Sequence, residues 1–263
     1  MNLQPYLDFA SDIAYRAGKI TLGYFNAGVR PDYKPDDTPV TAADRAAEEF
    51  LRAEIEKRYP HHAILGEEFG QNRALSDAPE AAGGAMRWIL DPIDGTKAFL
   101  RGVPLYGVLV GLEIDGLIEV GVAYYPATDE LLCAATGLGA WWNGRRAHVS
   151  QTKQLERAYL CYTNERSMYR YGRGAVWEEL SQAAYESRGW SDAYGYLLVA
   201  TGRAEAMFDP VMQIWDCAPF PVILREAGGY FGSWDGREGH TYGEAMACNA
   251  ALKEELVRRV AGQ

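Results

Sequence analysis

Two carboxylates three positions apart, at the end of an apolar run, are the most chemically pointed feature of this sequence. They lie in Trp88-Ile89-Leu90-Asp91-Pro92-Ile93-Asp94-Gly95-Thr96-Lys97. An apolar strand there delivers Asp91 and Asp94 at its end, and Pro92 stiffens the backbone between them by fixing φ. Oxygen ligands held in this way suit a hard cation such as Mg²⁺. Gly95 lets a ligand approach the backbone, and Thr96 opens a helix-compatible run whose first N–H groups favour a phosphate. The competing explanation is an acidic turn in which an Asp caps that helix.

Two further acidic points stand far away in the chain. Gly66-Glu67-Glu68 follows the short apolar run Ala63-Ile64-Leu65, and taken alone it reads as a solvated loop. Trp215-Asp216-Cys217-Ala218-Pro219 sets an Asp just before a helix, where an N-cap competes as the explanation. None of the three is decisive by itself. Three acidic points at strand ends and helix starts form a constellation able to converge in one cleft.

The elements that would position them follow from periodicity. Residues 3–25 place Leu3, Leu7, Ala10, Ala14, Ala17, Thr21 and Tyr24 on one helical stripe. Residues 30–39 carry three prolines and predict an irregular or edge-strand connection. A second helix is expected from Thr41, where Thr41 and Asp44 nearly form a capping box; Ala43, Ala47, Phe50, Leu51 and Ile55 would face inward. Residues 86–90 suit a buried strand that ends at Asp91-Pro92. Alternating runs at 105–114 and 117–125 flank Asp115-Gly116, the sequence of a tight hairpin turn. Another strand is expected at 131–135, and residues 70–85 read as a loop free to move. The second half predicts helices over 174–188, 194–201 and 217–227, with strands at 158–162, 205–208 and 229–234. The result is an α/β chain (α+β layered) forming a single unit over 1–263. Within it, residues 1–150 make an N-terminal subdivision with most of the acidic points, and residues 151–263 make a C-terminal one with the remainder.

Composition narrows the partners. With 26 Lys+Arg against 36 Asp+Glu, the formal net charge is −10. That balance disfavours nucleic acid and anionic membrane surfaces, which attract clustered basic residues. The opening residues have neither a basic nor an apolar region of the kind a secretory signal needs, and no apolar run is long enough to span a bilayer. Cys133, Cys161, Cys217 and Cys248 match no metal or redox spacing and read as small buried side chains. A cytoplasmic location is expected. His61, His62, His148 and His240 stand beside no motif and read as surface or loop positions.

The three acidic segments, in this order, resemble the signatures of the inositol monophosphatase family of metal-dependent phosphatases. Lys34 and the stretch Thr38-Pro39-Val40-Thr41-Ala42-Ala43-Asp44 resemble that family's usual lead-in, and the likeness runs from the first helix to about Gly229. The resemblance implies a sugar-phosphatase αβαβα sandwich, assembled as a homodimer. It implies that Glu67, Asp91, Asp94 and Asp216, with the main-chain carbonyl of Ile93, hold about two or three Mg²⁺ ions. Gly95 and Thr96 would bind phosphate. Glu68 would orient or deprotonate the attacking water, and Thr96, hydrogen-bonded to Asp44, would complete a proton-handling pair.

Substrate choice must come from elsewhere in the sequence. Residues 192–203, with Asp209-Pro210-Val211-Met212, resemble the histidinol-phosphatase branch, whereas Val122-Ala123-Tyr124-Tyr125-Pro126-Ala127 looks more like the general inositol-phosphatase hairpin. Histidinol phosphate carries an ammonium and an imidazole, which carboxylates at Asp192 and Asp209 would attract. Asp192 also has the spacing of a cap for a helix starting near Tyr194. The expectation is hydrolysis of histidinol phosphate in histidine biosynthesis. The alternatives are an inositol or broad sugar or nucleotide phosphatase and, from another class, a phosphate-binding regulatory protein without turnover.

Overall fold

Pro5, in the first turn of α1 (Gln4–Tyr24), starts a helix whose buried residues recur at three- and four-residue steps: Leu7, Ala10, Ile13, Ala14, Ala17, Gly18 and Thr21. The computed structural model describes residues 1–35, 39–72 and 85–262. Thr38 and most of the expected loop over 70–85 lie outside the described residues. A short hairpin pairs β1 (Asp32–Tyr33) with β2 (Pro39–Val40). α2 (Ala42–Arg58) then opens on a complete capping box: the Thr41 hydroxyl accepts from the Ala43 N–H, and the Asp44 carboxylate accepts from the Thr41 N–H.

The larger sheet holds β3 (Ala63–Gly66), β4 (Gly70–Gln71) and β5 (Met86–Asp94), the last followed by α3 (Thr96–Leu100). It continues through β6 (Gly107–Ile114), β7 (Leu117–Tyr125), β8 (Glu130–Ala135), β9 (Gly139–Trp142) and β10 (Arg145–Arg146). The strand order is β10-β9-β8-β7-β6-β5-β3-β4, parallel only between β3 and β5. Asp115 and Gly116, at φ 52° and 83°, supply the two left-handed positions of the β6–β7 turn. Side chains alternate across the sheet. Trp88, Leu90, Val108, Val110 and Val122 pack under α1 and α2, while Ile89, Leu109, Ala123 and Tyr125 face an inner layer of helices.

The smaller sheet is ordered β12-β11-β13-β15-β14. Its strands are β11 (Tyr159–Tyr162), β12 (Glu186–Arg188), β13 (Ala206–Asp209), β14 (Gly229–Gly232) and β15 (Ala245–Asn249). Between them run α4 (Glu165–Arg170), α5 (Gly174–Ala183), α6 (Tyr194–Ala200), α7 (Ile214–Cys217), α8 (Phe220–Glu226) and the terminal α9 (Lys253–Val260). α6 and α8 fill the space between the two sheets, and α5 and α9 cover the far side. The layers therefore run αβαβα, as expected.

Three local expectations need correction. The helix over 174–188 stops at Ala183. Ala184 turns extended, and Tyr185 and Glu186 donate their N–H groups to the Ala158 carbonyl, which starts β12 as an edge strand beside β11. β5 does not stop at Asp91 but continues until Asp94 pairs with Gly107, with a register shift between Asp91 and Asp94. His240 lies in a loop, yet it is buried, with Nε2 3.8 Å from Glu113.

One glycine pair decides where the C-terminal half meets the large sheet. Gly111 and Gly121 face each other across β6 and β7. A Cβ at Gly111 would stand 2.9 Å from Ala218, and one at Gly121 would stand 2.2 Å from the Pro219 carbonyl oxygen. The corner between α7 and α8 therefore rests on bare backbone. That seat brings Asp216 to the end of β5.

Candidate active site

Asp91, Asp94 and Asp216 each bring one carboxylate oxygen to a point where all three lie within 4.8 Å of one another. Side chains three apart on a regular strand point to opposite faces; the register shift at the end of β5 turns Asp91 and Asp94 to the same side. Each carboxylate also anchors on a backbone N–H. Asp91 accepts from Ile93 at 3.0 Å, Asp94 from Ala193 at 2.7 Å and Asp216 from Gln213 at 2.8 Å. That leaves each a second oxygen for a ligand. Asp216 is not the N-cap foreseen for it: it is the third residue of α7, whose N-cap is Gln213, and its carboxylate closes that helix's capping box while also joining the triad. Asp94 does not cap α3, whose N-cap is Gly95, at φ 83°.

Glu67 and Glu68 arrive from the end of β3, and the Lys34 ammonium bridges them at 2.7 and 2.9 Å. Glu48 is a residue that sequence reasoning misses. It is fully buried in α2 and accepts the backbone N–H groups of Glu68 and Phe69 at 2.7 and 3.2 Å, with Arg52 as its counterion. A charged residue in a helix reads as solvated, so only the fold reveals it. Asp44 has the same two-sided character as the triad. One of its oxygens holds the Thr41 N–H and hydroxyl, while Oδ1 is buried and has no hydrogen-bond partner among the described residues. The expected bond between Thr96 and Asp44 is not formed; the Thr96 hydroxyl donates instead to the Ile93 carbonyl at 3.2 Å.

Glu67, Asp91, Asp94 and Asp216 line a cleft of about 160 Å³ together with Ile93, Gly95, Thr96, Lys97 and Asp192. Asp192 does not cap α6, whose first turn has no side-chain cap. Its carboxylate leans over Gly95, 3.1 Å from where a Cβ would be, and accepts from the Ser191 hydroxyl at 3.0 Å. Asp209 sits deeper, at 3 % exposure, and accepts from the Tyr196 hydroxyl at 2.7 Å. A small cavity of about 60 Å³ joins it to Asp94, Asp192 and Asp216. Of the site residues expected from sequence, Glu67, Asp91, Ile93, Asp94, Gly95, Thr96, Asp192 and Asp216 line this cleft, whereas Glu68, held by Lys34, and Asp44, in the first turn of α2, are outside its lining and Asp209 lies behind it.

The electrostatics are those of a site built for cations. Burial, then repulsion from neighbouring carboxylates, pushes Asp91 and Asp94 well above the ordinary carboxylate range. Burial raises Asp216 to about 7, Glu68 to about 7 and Asp209 to about 8, and it raises Asp44 to about 6. Burial opposes the charge of Lys34, but its bonds to Glu67 and Glu68 outweigh it and raise its pKa. Acidic oxygens that repel one another across a few ångströms, and a buried orphan oxygen at Asp44, fit hard divalent ions.

The model of the inositol monophosphatase family matches residues 2–262. The chain belongs to this family. It is accordingly a phosphatase, a phosphoric monoester hydrolase of a metal-dependent group, and the acidic triad is a set of oxygens able to hold a metal ion. Similar proteins include a histidinol-phosphatase of Chlorobaculum parvum, 38% identical over 260 residues and covering 98% of this chain and 97% of the relative. A histidinol-phosphatase of Mycobacterium tuberculosis is 37% identical, covering 97% of both chains. Among solved structures, the Thermotoga maritima IMPase superposes with a TM-score of 0.87 at 26% identity, covering 98% of each chain. The family's layered fold is the one described above. Among the described residues no helix is long and apolar enough to cross a membrane.

Proposed function

We propose that this protein is a Mg²⁺-dependent phosphomonoesterase that cleaves L-histidinol phosphate to L-histidinol and inorganic phosphate. Glu67, Asp91, Asp94, Asp216 and the Ile93 carbonyl would hold about two or three ions, which when bound neutralise phosphate charge and lower the pKa of water. Gly95 and Thr96 receive the phosphate at the start of α3. Glu68 orients the water and takes its proton as the new P–O bond forms in line with the ester P–O bond that breaks. The departing alkoxide takes up a proton, and no phosphoenzyme forms. The Oδ1 of Asp44, which has no hydrogen-bond partner among the described residues, supports a part for Asp44 in proton handling.

The observation that carries the choice of substrate is Asp192. Its carboxylate stands over Gly95, next to the triad and Lys97, where a substrate ammonium or imidazole gains from a buried negative charge and a polyol does not. Asp209 lines the small cavity behind the cleft. The names of the relatives at 37% and 38% identity point the same way. Phosphate release from histidinol phosphate, inositol 1-phosphate, 3′-phosphoadenosine 5′-phosphate and fructose 1,6-bisphosphate, with and without Mg²⁺, tests the proposal. Fastest Mg²⁺-dependent release from histidinol phosphate supports it. Preference for inositol 1-phosphate would favour the second reading, to which the 122–127 hairpin lends support, and no release at all would favour a binding protein.

The same reading makes the protein a homodimer of a reducing cytoplasm, in keeping with its four free cysteines. Light scattering on the purified protein tests the dimer.

A further inference from the structure

The Asp192 carboxylate can select a substrate only if the backbone carrying it is held still. That backbone is not at rest by itself. Ser191 adopts a left-handed φ of 65°, a strained conformation for a residue with a side chain, which persists where its surroundings enforce it. The enforcement lies two residues on, at Ala193. Its N–H is donated to Asp94 Oδ2 at 2.7 Å, and its carbonyl accepts the Tyr125 hydroxyl, also at 2.7 Å.

Tyr125 is fully buried at the end of β7 and sits directly opposite Glu130, the first residue of β8. Glu130 holds the next residue of the helix start. It accepts the Tyr194 hydroxyl at 2.8 Å, and the rings of Tyr125 and Tyr194 meet edge to face at 5.2 Å. Glu130 is itself fixed from outside by the Trp142 indole N–H at 3.0 Å and by Arg203 at 3.1 Å. The Arg203 guanidinium lies 4.5 Å over the Trp142 ring. One cross-strand pair of the large sheet therefore grips residues 193 and 194 in succession, immediately after Asp192. A phenylalanine at 125 would fill the same space, so packing alone does not require the hydroxyl.

We infer that the Tyr125–Glu130 pair is a positioning device for substrate selection, acting through Ala193 and Tyr194 to set where the Asp192 carboxylate stands. The inference rests on the role of Asp192 proposed above. It names residues outside the three acidic segments, on a different strand pair, as determinants of which phosphate ester is preferred.

The test uses the full-length, Mg²⁺-loaded enzyme and its Tyr125→Phe, Glu130→Gln, Glu130→Ala and Asp192→Ala variants, with histidinol phosphate and inositol 1-phosphate as paired substrates. Tyr125→Phe should raise KM for histidinol phosphate by about three- to tenfold, the range expected for losing one net hydrogen bond. It should leave kcat and the KM for inositol 1-phosphate within about twofold, the pattern of lost ground-state binding. Glu130→Ala should do the same, and Glu130→Gln, which keeps an acceptor for Tyr194, should largely restore the preference. Added to Asp192→Ala, Tyr125→Phe should cause no further loss.

Equal KM effects on both substrates, a fall in kcat alone, no effect, or full additivity with Asp192→Ala would overturn the inference. If Tyr125→Phe is silent while Asp192→Ala shifts the preference, only this inference fails. If Asp192→Ala itself is silent, the substrate reading fails and this one with it. Should Tyr125→Phe not fold, Tyr194→Phe removes the neighbouring hydroxyl and is read by the same criteria.

Discussion

Asp94 and Ala193 are joined by a 2.7 Å hydrogen bond that spans a sequence separation of 99, with the Ala193 amide donating to the carboxylate. The bond ties the end of β5 to the N-cap residue of α6, so a member of the acidic triad is also a tie between the large sheet and the inner helices.

This double role makes Asp94→Asn an informative variant. The asparagine keeps an oxygen for the Ala193 N–H but withdraws one of the mutually repelling charges. Phosphatase turnover should fall by more than about a hundredfold, beyond the cost of losing a mere outer partner of a metal ligand. Without added metal, the melting temperature should stay level or rise. Near-normal turnover in a phosphate-release assay would remove Asp94 from the chemistry.

Cations should stabilise the folded chain by binding it in preference to the unfolded one. At a hundred times its dissociation constant, Mg²⁺ should add about 2.7 kcal/mol, which for a domain of this size raises Tm by about 5–10 °C. The Asp91→Asn and Asp94→Asn variants should lose that increment. Calorimetry with and without EDTA makes the measurement, and an equal Mg²⁺ response in both variants and the parent would place the ions elsewhere.

The raised carboxyl groups give the metal-free protein a definite pH dependence. Glu68 and Asp216, at about 7, and Asp209, at about 8, bind protons in the folded state that the unfolded chain has released. Their stabilisation is complete below the unfolded carboxyl range and is lost as pH rises through the folded values. Tm without metal should therefore fall as pH rises from about 4.5, where the unfolded carboxyls have ionised, to about 8, and saturating Mg²⁺ should flatten the fall. His62, lowered to about 4 by burial, acts with the opposite sign between about pH 4 and 6.5, one group against several carboxyls, so the net fall remains. A metal-free Tm that rises with pH between about 4.5 and 8 would contradict the assignment.

Gly121→Ala should be costly. The new methyl meets the Pro219 carbonyl, and overpacking of this kind costs about 1–3 kcal/mol. Because the displaced corner carries Asp216, the apparent affinity for Mg²⁺ should fall as well. Gly23→Ala is the natural comparison. Gly23 lies in α1 with nothing within 4 Å of a Cβ, so it should gain about 0.5–1 kcal/mol. Equal effects of the two changes on Tm and on Mg²⁺ titration would discount the glycine seat.

Where a signal was local, it could be read from the sequence. α1 and α2 announce themselves by apolar spacing and a cap, and the β6–β7 turn by Asp115-Gly116. The three acidic segments identify the site because their chemistry needs those residue types. What escaped was set by tertiary contact. β15 is buried at every position and so shows no alternation, and Glu48 is charged yet fully interior. The continuation of β5 to Asp94 depends on pairing with Gly107, which no local pattern reveals. α9 is a different case: its acids in the first turn and bases in the last are a helix signal in plain view, and sequence reasoning passes over it.

The triad also has a consequence for timing. Asp91 and Asp94 belong to β5, but Asp216 is carried by α7, seated on Gly111 and Gly121 after most of the chain has been made. During synthesis the N-terminal region leaves the ribosome and folds first. A nascent chain that has emerged only as far as β10 already displays two of the three carboxylates, yet it has no Asp216 and no helix corner to place one. An ion that needs all three carboxylates can therefore be held only once α7 is seated, so its binding would report that the C-terminal half has docked on the large sheet.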